Sequence, residues 1–101
     1  MDDRAIGMFD SGFGGLTVAR ALMDLLPGED LVYFGDSGRY PWGPRPLEEV
    51  REFARQVTAE LVDRHRVKLV VVACNTASAA ALELLQFSFD VPLVGVINPG
   101  V

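Results

Sequence analysis

The chain has one cysteine, one lysine and one histidine, and each scarcity closes off a class of chemistry. A lone cysteine forbids an internal disulfide, which suits a reducing cytoplasm. The only lysine, Lys68, opens an apolar run and so falls at the amino edge of its strand. Pyridoxal phosphate enzymes need a Schiff-base lysine in the site, so that cofactor is disfavoured and a cofactor-free use of the thiol is expected. His65 and Cys74 are the only soft metal ligands and belong to different elements, which argues against a structural metal. No uninterrupted apolar segment is long enough to span a bilayer. The acidic start, Met1-Asp-Asp-Arg4, precedes an apolar stretch too short for a signal peptide. Arginines are scattered without forming a stripe, and the net charge of −5 argues against nucleic acid or an anionic membrane surface as partner.

What is present is apolar patterning. Half of the 101 residues are hydrophobic, enough for one modest domain with a real core. Ala5–Phe9 reads as a short strand, followed by the glycine-rich turn Asp10–Gly15. Leu16, Val18, Ala19, Ala21, Leu22, Leu25 and Leu26 then give a helix, which Pro27-Gly28 ends. Asp30–Phe34 is a second strand, and Gly35–Arg45 a long loop after which Pro46 is placed as the first helical residue. Leu47, Val50, Ala54, Val57 and Leu61 recur at helical spacing. Lys68–Ala73 is a continuous Val/Leu run, as in a parallel strand buried on both faces. Ala77–Leu85 looks helical, and Val91–Ile97 makes a fourth strand. The order βαβαβαβ predicts a three-layer α/β fold with a mostly parallel four-stranded sheet and flanking helices. The chain stops at Asn98-Pro-Gly-Val101, just past a buried strand, and more chain is expected to follow.

Small polar or acidic groups follow every strand at its carboxyl end: Asp10-Ser11, Asp36-Ser37, Cys74-Asn75-Thr76 and Asn98. In a parallel sheet those ends share one edge, so the four clusters are expected to converge on one crevice. Cys74 stands between a buried strand and a helix, where the helix N-terminus favours thiolate over thiol. A small buried core cysteine is the structural alternative. The Asp10–Gly15 turn opens a helix and could bring backbone N–H groups to a small anion such as a carboxylate, although it lacks the spacing of nucleotide-binding loops. Asp10 opposes thiolate formation nearby, but it can accept a proton or hold an ammonium group. In the loop, Arg39 and Arg45 could meet carboxylates. Tyr40 is expected to pack beneath the loop, whereas Trp42-Gly43 is expected to serve the site. His65, in Asp63-Arg-His-Arg66 at a helix end, is read as a solvated residue without a catalytic role.

Five ordered stretches then resemble the first half of glutamate racemase, in the aspartate/glutamate racemase superfamily. They are Ile6-Gly-Met-Phe-Asp-Ser-Gly-Phe-Gly-Gly-Leu-Thr17, Tyr33-Phe-Gly-Asp-Ser-Gly-Arg39, Pro41-Trp-Gly-Pro-Arg45, Val72-Ala-Cys-Asn-Thr-Ala-Ser78 and Pro92-Leu-Val-Gly-Val-Ile97. The resemblance implies cofactor-independent racemisation of glutamate by two cysteines on opposite faces of the α-carbon, supplying D-glutamate for bacterial peptidoglycan and hence cell shape. Cys74 matches the first cysteine, and Asp10 would assist proton transfer. Asp10, Ser11, Trp42, Gly43, Asn75 and Thr76 would hold the substrate's amino and carboxylate groups. The family has tyrosine where Trp42 stands, so the carry-over there rests on the backbone of Trp42-Gly43. The family's Gly-Cys-Thr-His motif, with the second cysteine, is absent from this chain. Residues 1–98 are therefore expected to form an incomplete first domain, with 99–101 starting the crossover to a second, and the fragment is expected to be inactive alone. An incomplete sheet should expose an apolar edge or face, so self-association, for instance as a homodimer, or low stability would follow. The alternatives are an aspartate racemase, a non-catalytic half-domain that binds a small carboxylate or a partner protein, and, last, a thiol hydrolase. The hydrolase needs a histidine beside the thiol, and His65 leads into the opposite edge.

Overall fold

A computed structural model describes residues 2–12 and 14–95. Strands β1 (Ile6–Asp10), β2 (Leu31–Gly35), β3 (Leu69–Val72) and β4 (Leu93–Gly95) alternate with helices α1 (Leu16–Leu25), α2 (Leu47–Ala59) and α3 (Asn75–Ser88). A 3-10 turn spans Ser37–Arg39, and α2 runs on into a wider π-helical segment, Glu60–Arg64. The sheet order is β2-β1-β3-β4 and all three pairings are parallel. Met8 lies opposite Tyr33 on one side and Val71 on the other. From β1 the chain moves outward to β2, then returns across β1 to form β3 on its far side. The strand order thus reverses between β1 and β3, and ligands of open α/β sheets bind beyond the carboxyl ends at such a point.

The alternation of β1 sorts the core into two faces. Phe9, Val70 and Val72 point toward α2 and α3, where they meet Val50, Ala54, Val57, Leu61, Ala77, Ala81 and Leu85. Ile6, Met8 and Val71 point the other way, toward Ala19 of α1, with Val18 and Leu22 partly buried beside them. Three layers result, as the element order predicts. Leu61 and Leu85 are fully buried, each contributing about 2 kcal/mol by removal from water. The spacing of Val50, Ala54, Val57 and Leu61 is the helical one read from the sequence, and it carries α2 onto the sheet.

Several boundaries move. Pro46 is the N-cap of α2, extended at ψ 146°, and its carbonyl accepts the Val50 N–H at 3.1 Å. Helix α3 starts two residues earlier than expected, because Cys74 itself caps it. It also runs three residues further, with the Ser88 hydroxyl donating to the Leu84 carbonyl at 2.7 Å. Within the described residues β4 is the short segment Leu93–Gly95; Ile97, Asn98 and the expected crossover at 99–101 lie outside them. Two large apolar side chains stand exposed on β4 and α3. Val94 on β4 is 47% exposed and Phe87 on α3 is 93% exposed. Among the described residues no helix is long and apolar enough to cross a membrane.

Candidate active site

Asp10 ends β1 and is almost fully buried. Its Oδ1 accepts the Gly12 N–H at 2.9 Å. Its Oδ2 accepts the Gly15 N–H and, at 2.7 Å, the Tyr33 hydroxyl. Gly15 is the N-cap position of α1, and a Cβ there would stand 2.5 Å from Oδ2. Only glycine lets the helix start press so closely on a carboxylate. The charge of Asp10 also lies at the positive end of α1, where a carboxylate is favoured. This corrects one expectation: the Gly12 and Gly15 N–H groups are taken by the protein's own Asp10 and are not left for a ligand anion.

Tyr33 was not singled out by sequence, where it reads as one more strand residue. Burial, and then its bond to Asp10, hold the phenol well above its ordinary value of 10.0. A raised folded value means that the stabilisation is complete below the ordinary tyrosine range and is lost as pH climbs beyond it. Tyr33→Phe is expected to cost about 1 kcal/mol at neutral pH, because the side chain is only partly buried. Urea midpoints at pH 7 and pH 10.5 check this. The wild type should lose part of its advantage at the higher pH, and equal advantages at both would sink the assignment.

Cys74 has an extended backbone (φ −123°, ψ 121°), and its Sγ accepts the Ala77 N–H at 3.5 Å while its carbonyl accepts the Ser78 N–H at 2.8 Å. It therefore caps α3 twice, and the sulfur faces the positive end of that helix. The Ala73 N–H donates to the Phe9 carbonyl at 2.9 Å, which ties the end of β3 to the end of β1. Asp10 and Cys74 accordingly meet in one cavity of about 360 Å³, walled by Asp10, Ser11 and Gly14 from the first turn and by Cys74, Asn75 and Thr76 from the second. Tyr40, Val18 and Ala73 complete it. A larger concavity, about 530 Å³, runs along α3 from Ser78 to Leu84. Its charged groups are Arg51, which donates to the Ala80 carbonyl at 2.9 Å, and Glu83. It offers no thiol or buried acid, so chemistry favours the smaller cavity.

Two of the four expected clusters converge. Asp36 is drawn away: its carboxylate takes the Arg39 Nε at 2.6 Å, and neither Asp36 nor Ser37 lines the cavity. Asn98 lies outside the described residues. The arginines expected to meet a ligand are engaged internally. Arg39 also donates to Gln56 at 2.7 Å and stacks 3.9 Å over the Phe53 ring, and Arg45 pairs with Glu49. The aromatic side chains are placed opposite to expectation. Trp42 is fully buried between Phe9 and Phe53, at centroid distances of 6.2 and 5.8 Å. Tyr40 stands on the cavity wall, 52% exposed. The loop lacks any periodicity that could have told them apart, and only the greater bulk of the indole favoured burial. Gly43 remains close to the site, since a Cβ on it would lie 3.9 Å from the Thr76 hydroxyl.

No protein-family model matches the chain. A glutamate racemase of Streptococcus suis is 53% identical over 100 residues, which is 99% of this chain and 38% of that relative. The crystal structure of glutamate racemase from Thermus thermophilus in complex with beta-chloro-D-alanine superposes with a TM-score of 0.89 at 52% identity, covering 96% of this chain and 38% of that one. Glutamate racemase from Francisella tularensis, in complex with D-glutamate, gives 0.88 at 43% identity over 94% of this chain and 36% of that one. The chain therefore spans well under half the length of the relatives it matches.

Proposed function

We propose, for a chain homologous along its length to glutamate racemases, that it carries one half-site of a cofactor-free racemisation of glutamate. The observation that carries this reading is that Cys74 and Asp10 both line one cavity of amino-acid size at the switch between β1 and β3. As thiolate, Cys74 takes the α-proton and becomes a thiol, while the electron pair left on carbon delocalises into the substrate's carboxylate. Asp10 orients the substrate amine or assists the proton's movement. Ser11, Asn75, Thr76 and the backbone of Trp42-Gly43 hold the amino and carboxylate groups. With one cysteine, the chain can serve one face of the α-carbon; the complete reaction needs a base on the other, and the D-glutamate it makes would feed cytoplasmic peptidoglycan synthesis. The net charge of −5 suits a small-molecule partner better than nucleic acid. A purely carboxylate-binding module is less well supported, because the N–H groups best placed for an anion already serve Asp10.

The test is α-proton exchange by NMR in deuterated water, with D-glutamate and L-glutamate offered separately. One enantiomer should lose its α-proton signal without inverting, and Cys74→Ala should abolish the loss. Exchange that persists in the alanine variant, or its absence with both enantiomers in the wild type, would overturn the half-site reading for this chain.

A further inference from the structure

Tyr40 is an exposed ring on a backbone fixed from both sides. Before it, Arg39 is tied to Asp36, Gln56 and the Phe53 ring, and the Tyr40 N–H itself donates to the Ser37 carbonyl at 3.3 Å. Two residues after it, Trp42 is fully buried. The ring is seated on Gly12, where a Cβ would come within 2.7 Å of the Tyr40 Cδ2. It shares the cavity with Cys74, whose own exposure is only 7%. A side chain this exposed gains little from burial, and yet its position is determined by its neighbours. The geometry points to Tyr40 as a positioning residue: its ring, held against Gly12, narrows the approach to Cys74 and limits what reaches the sulfur to ligands of amino-acid size. This rests on the reading of the cavity as the place where Cys74 meets its ligand.

Because Cys74 is the sole cysteine, its alkylation reports access cleanly by intact-mass measurement. Rates are compared for a small reagent, iodoacetamide, and a bulky one, N-phenylmaleimide, in the wild type, Tyr40→Ala and Tyr40→Phe. The ratio of bulky to small rates should rise about tenfold in Tyr40→Ala, a typical size of steric discrimination, and should stay at the wild-type value in Tyr40→Phe. A ratio unchanged in Tyr40→Ala, or raised equally in Tyr40→Phe, overturns the proposal. So does a uniform acceleration with both reagents, because general loosening changes both rates together. Glutamate added to the wild type should slow iodoacetamide. If it does not, the racemase reading fails while the ratio still decides the role of Tyr40.

Discussion

Asp10→Ala is expected to lower the stability of the chain by about 3 kcal/mol and to abolish α-proton exchange. The carboxylate satisfies two backbone N–H groups and one hydroxyl, and alanine orphans all of them together. Each buried donor left unpaired costs about 1–3 kcal/mol. The site borders a cavity, so water can replace part of what is lost, which holds the sum nearer the low end than the high one. Loss of a negative charge at the start of α1 adds about 0.5 kcal/mol. Asp10→Asn separates shape from charge. Its carbonyl oxygen can still accept from one N–H, but its NH₂ group then faces a second donor. About half the destabilisation should remain, and exchange should stay suppressed. Urea denaturation with an unchanged m-value measures the first effect and NMR exchange the second. An alanine variant within about 0.5 kcal/mol of the wild type would show that the turn holds its form without the carboxylate.

How far the fold was legible follows from what produces a period. The Val and Leu run at 69–72, short and rich in β-branched residues, reads as a strand buried on both faces, and it is the inner strand β3. The spacing from Val50 to Leu61 permits one buried helical stripe, and that stripe is the one found. Once the strands are parallel, their carboxyl ends must share an edge, so the order of elements alone brings Asp10 and Cys74 to one side of the sheet. The remainder depended on competition among partners, which spacing does not encode. Asp36 and Arg39 are three residues apart and chose each other, although either could have faced the crevice. The amides of Gly12 and Gly15 have the form of an anion site, yet the nearest anion was Asp10, only two and five residues away. In the loop between β2 and α2, Tyr40 and Trp42 sit on no periodic element. Their placement was decided by the hole between Phe9 and Phe53, a tertiary feature.

That hole sets the other large effect. Trp42→Ala is expected to cost about 4 kcal/mol, the usual range for deleting a fully buried aromatic ring. The indole is 0% exposed and packs tilted against Phe9 and Phe53, at interplanar angles of 44° and 52°; such pairs add about 1 kcal/mol each beyond the area they bury. Against a total stability of about 5–15 kcal/mol, that is a large share for one residue. Trp42→Phe should behave quite differently. Among the described residues the buried Nε1 of Trp42 has no hydrogen-bond partner, a cost of about 1–3 kcal/mol that phenylalanine removes. The smaller ring leaves a void that costs a similar amount. The two terms oppose each other, and the net change should lie within about 1 kcal/mol. Circular dichroism must follow both variants, because Trp42 is the only tryptophan and its fluorescence goes with it. In the site, loss of the anchor should release the Gly43 backbone from its place beside Thr76, so Trp42→Ala should also weaken α-proton exchange where Trp42→Phe retains it. Both substitutions remove the orphaned N–H, so the difference between them reports packing alone, and equal destabilisation would show that a phenyl ring does not refill the hole between Phe9 and Phe53.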